Sequence, residues 1–329
     1  MSEKPARPNK TLAYSGMSPT KVQQLEVDDN GQGQRIDNFL KSRLKGVPKS
    51  LIYRIIRKGE VRVNGKRIKP DYKLKVADSI RVPPLRLSQE KPLEPGESLL
   101  AVLQKAVLFE DEDILVINKP SGLAVHRGSG VSISVIDALR NLYAGQYLEL
   151  VHRLDKGTSG CLLLARNARA LKFLQDDFRE RATEKDYHAL IHGLWPEPLH
   201  LVSAGLQRSA EKHGQRKVFI SQDGKQALTR FSVLEHYHSH SLVLAQPQTG
   251  RTHQIRVHAG FAGFPLCGDE KYSSREQMKS LKVLGIKRLC LHAAALCFRH
   301  PRNAQAMQMR APYDASFSAA IQALAAQGR

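Results

Sequence analysis

Apolar residues between Arg35 and Arg86 predict a small module of two helices followed by short strands. The first helix has the apolar residues Ile36, Phe39, Leu40 and Leu44, and the second has Leu51, Ile52, Ile55 and Ile56. Ser50 is a suitable cap for the second helix, and Gly59 is a suitable stop. The segment VRVNGKRI then predicts a hairpin, because Asn64-Gly65 accepts the positive φ angles of a type I′ turn. A further short strand covers Ser79 to Val82.

From Ala106 onward the apolar pattern is that of a strand-rich domain. Strands are predicted at Ile114 to Ile117, Cys161 to Ala165, Tyr187 to His192, Ala227 to Leu234, Ser241 to Ala245 and Leu289 to Phe298. One helix is predicted over Ala168 to Arg181, and another from Thr252, as its cap, to Ala262. Strands outnumber helices and do not alternate with them. We therefore expect an α+β domain with a mixed, mostly antiparallel sheet flanked by helices and loops.

The remaining segments complete a two-domain organisation, which suits a chain of 329 residues. Residues 1–30 are polar and aperiodic, and we expect a mobile tail. Residues 31–88 form the small α/β module. Residues 89–105 contain Pro92, Pro95 and Gly96 and are predicted to be a linker, before a large domain at residues 106–329.

Charge is concentrated in the small module. The whole chain has 51 Lys and Arg against 31 Asp and Glu, whereas Arg35 to Arg86 alone holds 16 basic and 4 acidic residues. This density favours a phosphate backbone as partner, with an ordinary solvated surface as the alternative. The residues expected to face such a backbone are Arg54, Arg57, Lys58, Arg62, Lys66 and Arg67.

Cysteine usage and the chain start indicate the cellular compartment. The four cysteines lie among apolar residues, without the paired spacing of a zinc site or a disulfide framework. The first ten residues lack the apolar core of a signal peptide, and no apolar run reaches membrane-spanning length. We expect a cytoplasmic protein that uses no metal and no membrane.

The stretch Val151 to Gly160, VHRLDKGTSG, is a polar loop between two apolar segments. It places one carboxylate, Asp155, between Arg153 and Lys156, whose charges favour the ionised form. An ionised Asp in a loop can act as a nucleophile or a base. Taken alone, an Asp in such a turn is more typically structural, because it caps the backbone that follows.

A second polar cluster is GRTHQIRVH, at residues 250–258. Arg251, at the mouth of the predicted helix, is suited to a bidentate pair with a carboxylate or a phosphate. From the residues alone, Arg256 is interpreted as a surface phosphate contact. His253 and His258 are interpreted as hydrogen-bonding side chains, not metal ligands.

Together with KDYHALIHG at residues 185–193, these motifs and their order resemble the RluA family of pseudouridine synthases. The resemblance covers nearly the whole chain after residue 30, and the basic module is similar to an S4 RNA-binding domain. Gly157 departs from the family pattern, which commonly has Asp there. The resemblance implies an RNA-modifying isomerase whose partner is large-subunit (23S) ribosomal RNA, working as a monomer without cofactor or metal.

The resemblance also implies a role for each matching position. Asp155 would be the catalytic carboxylate, and Arg251 would form an ion pair with it. Tyr187 would stack on the target base and take part in proton transfer, with core packing as its structural alternative. The remaining positions would contact the substrate: Arg153 would hold the flipped nucleotide out, Leu291 would complete an apolar wall, and Lys119 would shape the pocket or contact phosphate.

In the implied reaction the N1–C1′ bond of uridine breaks, the base turns, and C5 bonds to C1′. A carboxylate suits the positive character that develops at C1′, as in glycosidases, either by attacking C1′ or by removing a proton from C2′. Two other classes stay open. One is a non-catalytic RNA-binding protein, and the other is a base-releasing glycosylase; a zinc deaminase lacks its ligand motif here.

Overall fold

The computed structural model describes residues 22–28, 31–44, 47–85, 95–127, 131, 133–197, 199–209 and 217–328. The chain divides into two compact units, Met1–Pro92 and Leu93–Arg329. The division falls within the segment 89–105 that was expected to join two domains.

The N-terminal unit combines a four-stranded antiparallel sheet with two helices around one apolar core. In chain order its elements are β1 (Gln23–Glu26), α1 (Ile36–Arg43), α2 (Lys49–Arg57), β2 (Arg62–Val63), β3 (Lys66–Arg67) and β4 (Ser79–Val82). The strand order is β1-β4-β2-β3. Both predicted helix faces are buried in this core, together with Val63 and Ile80 of the sheet. Asn64 and Gly65 have φ angles of 50° and 77°, as the predicted hairpin turn requires.

Two local expectations in this unit are wrong. Strand β1 lies at the end of the segment expected to be a mobile tail, where it pairs with β4 and sets Leu25 opposite Ile80. Residues 1–21 and 29–30 of that segment lie outside the described residues, so the expectation is wrong only for the strand. The strand has only four residues, which alternate between half-buried and exposed positions. So short an alternation cannot be recognised within a polar segment. Ser50 is not the cap of α2, which follows Pro48 directly without a capping side-chain hydrogen bond.

The C-terminal unit contains the remaining elements. They are α3 (Glu97–Lys105), β5 (Val107–Glu110), β6 (Ile114–Lys119), α4 (Val135–Leu142), β7 (Glu149–Leu150), β8 (Ser159–Ala165), α5 (Ala168–Glu180), β9 (Glu184–His192), β10 (Leu201–Arg208), β11 (Val218–Ile220), β12 (Lys225–Tyr237), β13 (His240–Pro247), α6 (Gln254–Phe261), α7 (Arg275–Val283), β14 (Leu291–Arg299), β15 (Ala306–Arg310) and α8 (Ala315–Ala325).

The strands form one eleven-stranded sheet whose main order is β11-β10-β12-β13-β9-β14-β8-β6-β5. Strand β15 pairs with β14, and β7 pairs with β8. Among the described strands only β8 and β14 run parallel, and their pairing joins Ala293 to Gly160. The mostly antiparallel, mixed α+β architecture predicted from the sequence is therefore confirmed. Because β8, β9 and β14 are neighbours, the ends of these strands bring distant motifs together.

Several helices were not predicted. Helix α3 occupies residues expected to be a linker, because its Leu103 is fully buried against the sheet despite the preceding prolines. Helices α4 and α7 begin with capping boxes, Ser134 with Asp137 and Ser274 with Gln277. Neither capping box was among the predicted features. Helix α6 begins one residue later than expected, with His253 and not Thr252 at its N-cap.

Across the described residues, no helix combines the length and the apolar character needed to cross a membrane. All four cysteines are free, and Cys161, Cys267 and Cys290 are buried.

The parallel contact between β8 and β14 leaves no room for a side chain at Gly160. Its φ is +108°, and a Cβ there would lie 2.2 Å from the Ala293 carbonyl oxygen. Gly122 also has a positive φ, of +85°, but a Cβ there would meet nothing within 4 Å. Substituting each of these two glycines therefore distinguishes the free-energy cost of a positive φ angle from that of the steric clash.

We expect Gly160→Ala to lower the free energy of unfolding by about 3 kcal/mol or more, because the backbones of β8 and β14 must separate. Gly122→Ala should cost only about 1 kcal/mol, for its positive φ. Urea unfolding followed by circular dichroism measures both. Equal losses for the two variants would show that the strand contact is not the constraint.

Candidate active site

A pocket of about 120 Å³ in the C-terminal unit is lined by all three residues predicted to be catalytic. Its walls come from the loop between β7 and β8, from β9, from the loop that leads into α6, and from the start of β14. The lining includes Arg153, Asp155, Thr158, Lys185, Tyr187, Arg251, Thr252, His253, Ile255, Arg256 and Leu291. Motifs about a hundred residues apart in sequence therefore share one cavity.

The loop that carries Asp155 is fixed by the segment that follows β6. The Thr158 amide donates to the Asp155 carbonyl at 3.1 Å, which closes the turn. The Gly122 amide donates to the Lys156 carbonyl at 2.8 Å, and the Ser121 hydroxyl donates to the Gly157 carbonyl at 2.7 Å. A Cβ at Gly157 would lie only 3.1 Å from the Leu289 side chain, which gives a steric reason for glycine at this position.

Lys119 is part of this support, and the expectation that it contacts RNA phosphate is wrong. Its side chain is fully buried. Its ammonium nitrogen lies 2.8 Å from the Pro120 carbonyl oxygen, 2.9 Å from that of Leu123 and 3.3 Å from that of Lys156. Burial lowers the pKa of Lys119 to about 7. Lys119 thus ties the loop carrying Asp155 to the end of β6.

The Asp155 carboxylate is about 29% exposed and receives a hydrogen bond from Arg256, whose Nη1 is 3.1 Å from Asp155 Oδ2. The same guanidinium forms two bonds of 2.7 Å to the buried carboxylate of Asp269. Burial of Arg256 acts to lower its pKa, but the bonds and charges of Asp269 and Asp155 outweigh it and raise the pKa above the ordinary value. One guanidinium therefore joins Asp155 to a second acid.

This arrangement corrects two assignments. Arg251, expected to pair with Asp155, is exposed and makes no ion pair with any described residue. Arg256, interpreted as a surface phosphate contact, is only 7% exposed and makes the predicted pair instead. Their places relative to α6 are the reason. Arg251 precedes the helix at the rim of the pocket, whereas Arg256 lies in its first turn.

His253 was not predicted as a site residue, yet its Nε2 lies 3.7 Å from Asp155 Oδ2. Its Nδ1 is 2.8 Å from the Tyr272 hydroxyl, which also accepts a bond from the Val218 amide. Burial lowers the pKa of His253 to about 4, so the ring is neutral at neutral pH. The signal in the sequence was its place beside Arg251 in the GRTHQIR motif.

Tyr187 and Leu291 form the apolar side of the pocket, as expected. They lie on the neighbouring strands β9 and β14 and pack against the core around Ile255. Burial, followed by the negative charge of Asp155, raises the pKa of the Tyr187 phenol. Tyr187 thus keeps its proton at neutral pH and faces the pocket as a neutral ring.

The rim of the pocket is basic. Arg153 is exposed and its guanidinium donates to the Thr252 hydroxyl at 3.1 Å, and Arg208 donates to the same hydroxyl. Arg153, Arg208 and Arg251, with Lys225, line an adjoining groove. The structure thus places positive side chains where a polyanion would approach the pocket.

The six basic residues predicted in the N-terminal unit are all exposed. Their internal bonds go to backbone carbonyls, as from Arg62 to Gly59 and Gly65 and from Arg67 to Arg57. Within the described part of the chain none of the six is paired with an acid. Their charges are therefore available to an external partner.

His152, next to Arg153, helps to hold the loop between β7 and β8 in place. Its Nε2 accepts the Leu163 amide at 3.1 Å, and its ring stacks on Phe178 with centroids 4.9 Å apart. Burial, together with the nearby Lys185, lowers the pKa of His152 to about 4. Protonation of Nε2 would break its hydrogen bond with the Leu163 amide.

Comparisons with known proteins agree with the motifs. Residues 113–260 match the family model described as RNA pseudouridylate synthase, and residues 34–80 match the S4 domain model. The first match contains Asp155, Tyr187 and Arg256, and the second contains all six of the exposed basic positions and most of the small module.

Relatives match over nearly the full length. The chain is 50% identical to ribosomal large subunit pseudouridine synthase C of Escherichia coli over 92% of this chain and 97% of that protein. It is 48% identical to the protein of the same name from Pasteurella multocida, over 93% and 95%. Among solved structures, human RNA pseudouridylate synthase domain containing 4 is 30% identical and has a TM-score of 0.57, covering 69% of this chain and 96% of that one.

We expect acid to destabilise the fold through His152. Its pKa is lower in the folded than in the unfolded chain, so the unfolded chain binds more protons between about pH 6.5 and pH 4. The free energy of unfolding should fall over this window by about 1 to 2 kcal/mol more in the wild type than in His152→Gln. Urea unfolding at several pH values tests this, and identical pH profiles would contradict it.

Proposed function

This chain belongs to the RNA pseudouridylate synthase family, and from that premise we propose that it isomerises uridines to pseudouridines in large-subunit ribosomal RNA. The full-length match to relatives named for that subunit supports the substrate. The observation that carries the proposal is the Asp155 carboxylate at a small pocket, bonded to Arg256. Such an enzyme would meet its RNA in the cytoplasm, as a monomer.

Asp155 supplies the carboxylate that the reaction needs. When the N1–C1′ bond of uridine breaks, C1′ gains positive character, and an ionised carboxylate stabilises it by direct attack or removes a proton from C2′. The base then turns and forms a C5–C1′ bond, and the product has the same composition as the substrate. Both routes begin from the same ionised oxygen atoms.

Arg256 holds that carboxylate in a fixed orientation. The guanidinium cannot rotate away from Asp269 without leaving two buried charges unpaired, and this anchoring fixes the nitrogen atom that bonds Asp155. The neutral ring of His253 adds a third contact without adding a competing positive charge. We assign Arg256 and Asp269 as positioning residues for Asp155.

Tyr187 and Leu291 hold the detached base. Stacked RNA keeps C1′ and C5 out of reach, so the target nucleotide must be flipped into the pocket. An aromatic ring is a suitable platform for a uracil that changes orientation, because stacking imposes no fixed hydrogen-bond pattern. Arg153 and Arg251, at the rim, would contact the flanking phosphates.

The N-terminal unit would supply general RNA affinity. Its exposed basic residues lie on a domain that matches the S4 model, and phosphate contacts of this kind release counterions. The chemistry and most of the electrostatic attraction would then reside in different units of the chain.

Asp155→Asn should abolish pseudouridine formation while RNA binding is retained, because the amide is nearly isosteric but carries no charge. Asp186→Asn is a control on β9, where Asp186 accepts a bond from Gln246 outside the pocket. Nucleoside chromatography of treated RNA measures the product, and filter binding measures affinity. Pseudouridine from Asp155→Asn would exclude the proposed role, and free uracil from the wild type would indicate a glycosylase.

Replacing Arg62, Lys66 and Arg67 with Gln should weaken RNA binding and reduce the slope of log K against log salt by about 2, with the turnover rate retained. Lys172, Lys279 and Lys282, which are exposed in the C-terminal unit, provide a matched triple substitution. RNA titrations at several salt concentrations compare the two variants. If both variants keep the wild-type slope, the hairpin does not bind RNA.

A further inference from the structure

Three potential metal ligands lie together in a part of the C-terminal unit that the proposed reaction does not use. One ring nitrogen of His192, one of His240 and the Cys267 sulfur lie within 4.8 Å of one another. We propose that His192, His240 and Cys267 bind one zinc ion. The site is separate from the catalytic pocket.

The backbone holds these residues in register. His192 ends β9 and His240 begins β13, and the two residues are direct partners in the antiparallel ladder. Cys267 is fixed beside them, since its amide donates to the Leu190 carbonyl at 2.8 Å and its carbonyl accepts the Cys290 amide at 2.9 Å. Three separate parts of the chain thus supply one ligand each.

The histidines have free ligand atoms. His192 is 9% exposed and His240 is 7% exposed, and within the described residues Nε2 of each is buried without a hydrogen-bond partner. Buried polar atoms are paired in the great majority of cases, so two such orphans side by side indicate a partner of another kind. The other nitrogen of His240, Nδ1, lies 3.0 Å from the Ser239 hydroxyl, which orients the ring as outer contacts do at zinc sites.

The mixture of ligands selects the type of ion. Two imidazoles and a thiol suit zinc, whereas calcium and magnesium require oxygen ligands. Zinc bonds of about 2.0 to 2.3 Å require the donors to approach within roughly 3.5 Å, so small side-chain rotations would close the site. A water molecule would complete four-coordination.

The thiol must lose its proton on binding. Burial, and to a lesser extent the neighbouring Cys290, raises the pKa of Cys267, so the metal-free residue is a neutral thiol. Zinc would bind the thiolate, and the displaced proton would go to solvent. No oxidant or reductant takes part.

The site is remote from the reaction. His192 lies five residues beyond Tyr187 on β9, about 17 Å along the strand. Metal occupancy is therefore expected to stabilise this end of the sheet without changing the rate of isomerisation.

Among the described residues a second group of potential ligands, Asp111, Asp113 and His300, already has hydrogen-bond partners within the protein. His300 is bonded to Asp111 at 2.8 Å, and Arg302 is bonded to Asp113 at 2.7 Å. Its atoms already satisfy one another, so it is an ion-pair network.

The test uses the full chain without a histidine tag, stripped with a chelator and then given one equivalent of Zn²⁺ or Co²⁺. The variants are Cys267→Ala and His240→Gln. Cys290→Ala is the matched control, because Cys290 is also buried, belongs to the same apolar cluster and is not among the three ligands. Bound metal is measured by mass spectrometry after gel filtration, and circular dichroism reports folding.

We expect one metal ion per wild-type chain, a thiolate-to-cobalt absorption band, and a rise in melting temperature with zinc. Cys290→Ala should retain all three, and the two ligand variants should bind about 100-fold more weakly. If a ligand variant does not fold, the thiolate band in the wild type and in Cys290→Ala still decides. Absence of that band, or unchanged zinc binding in a folded Cys267→Ala protein, would overturn the proposal.

Discussion

The guanidinium of Arg256, shared between Asp155 and Asp269, is the interaction on which the rest of the site depends. It is almost completely buried, and so is Asp269. A buried charge is tolerated only when its partners are in place, so the three groups must be assembled together. Each comes from a different segment: the loop between β7 and β8, the first turn of α6, and the chain that follows α6. The fold of the C-terminal unit is what brings these segments into contact.

The surrounding structure can be understood as support for this cluster. Lys119, Ser121 and Gly122, at and after the end of β6, donate hydrogen bonds to the loop that carries Asp155. His152 holds the same loop through its bond with the Leu163 amide and its stacking on Phe178. Gly160 lets β8 and β14 approach closely, and Leu291 at the start of β14 lines the pocket. Strand β14 thus lies between β9, which carries Tyr187, and β8, which follows the loop of Asp155.

Much of this could be predicted from sequence, and the failures have physical causes. The position of Asp155 and the apolar faces of α1, α2 and α5 follow from motif and periodicity. The choice between Arg251 and Arg256 does not, because the motif contains both arginines and only the fold shows which of them is buried beside Asp155. Strand β1 is too short to show a period, and helix α3 is stabilised by tertiary burial of Leu103.

Lys119 and the histidine–cysteine cluster show a second limit. The sequence does not show whether a lysine is buried and bonded to carbonyl oxygens or exposed at the surface, and only the fold distinguishes the two. His192, His240 and Cys267 are far apart in sequence and match no ligand spacing. Their proximity follows from the pairing of β9 with β13 and from the path of the chain after α6.

We propose that Arg256, and not Arg251, positions the Asp155 carboxylate for catalysis. Steady-state kinetics of pseudouridine formation by Arg256→Lys and Arg251→Gln tests it most directly, because lysine keeps the charge of Arg256 but cannot bond both acids. We predict that Arg256→Lys lowers kcat by about 100-fold with little change in KM, whereas Arg251→Gln mainly raises KM. A normal kcat for folded Arg256→Lys, or a loss confined to kcat in Arg251→Gln, would show that Arg256 does not have this positioning role.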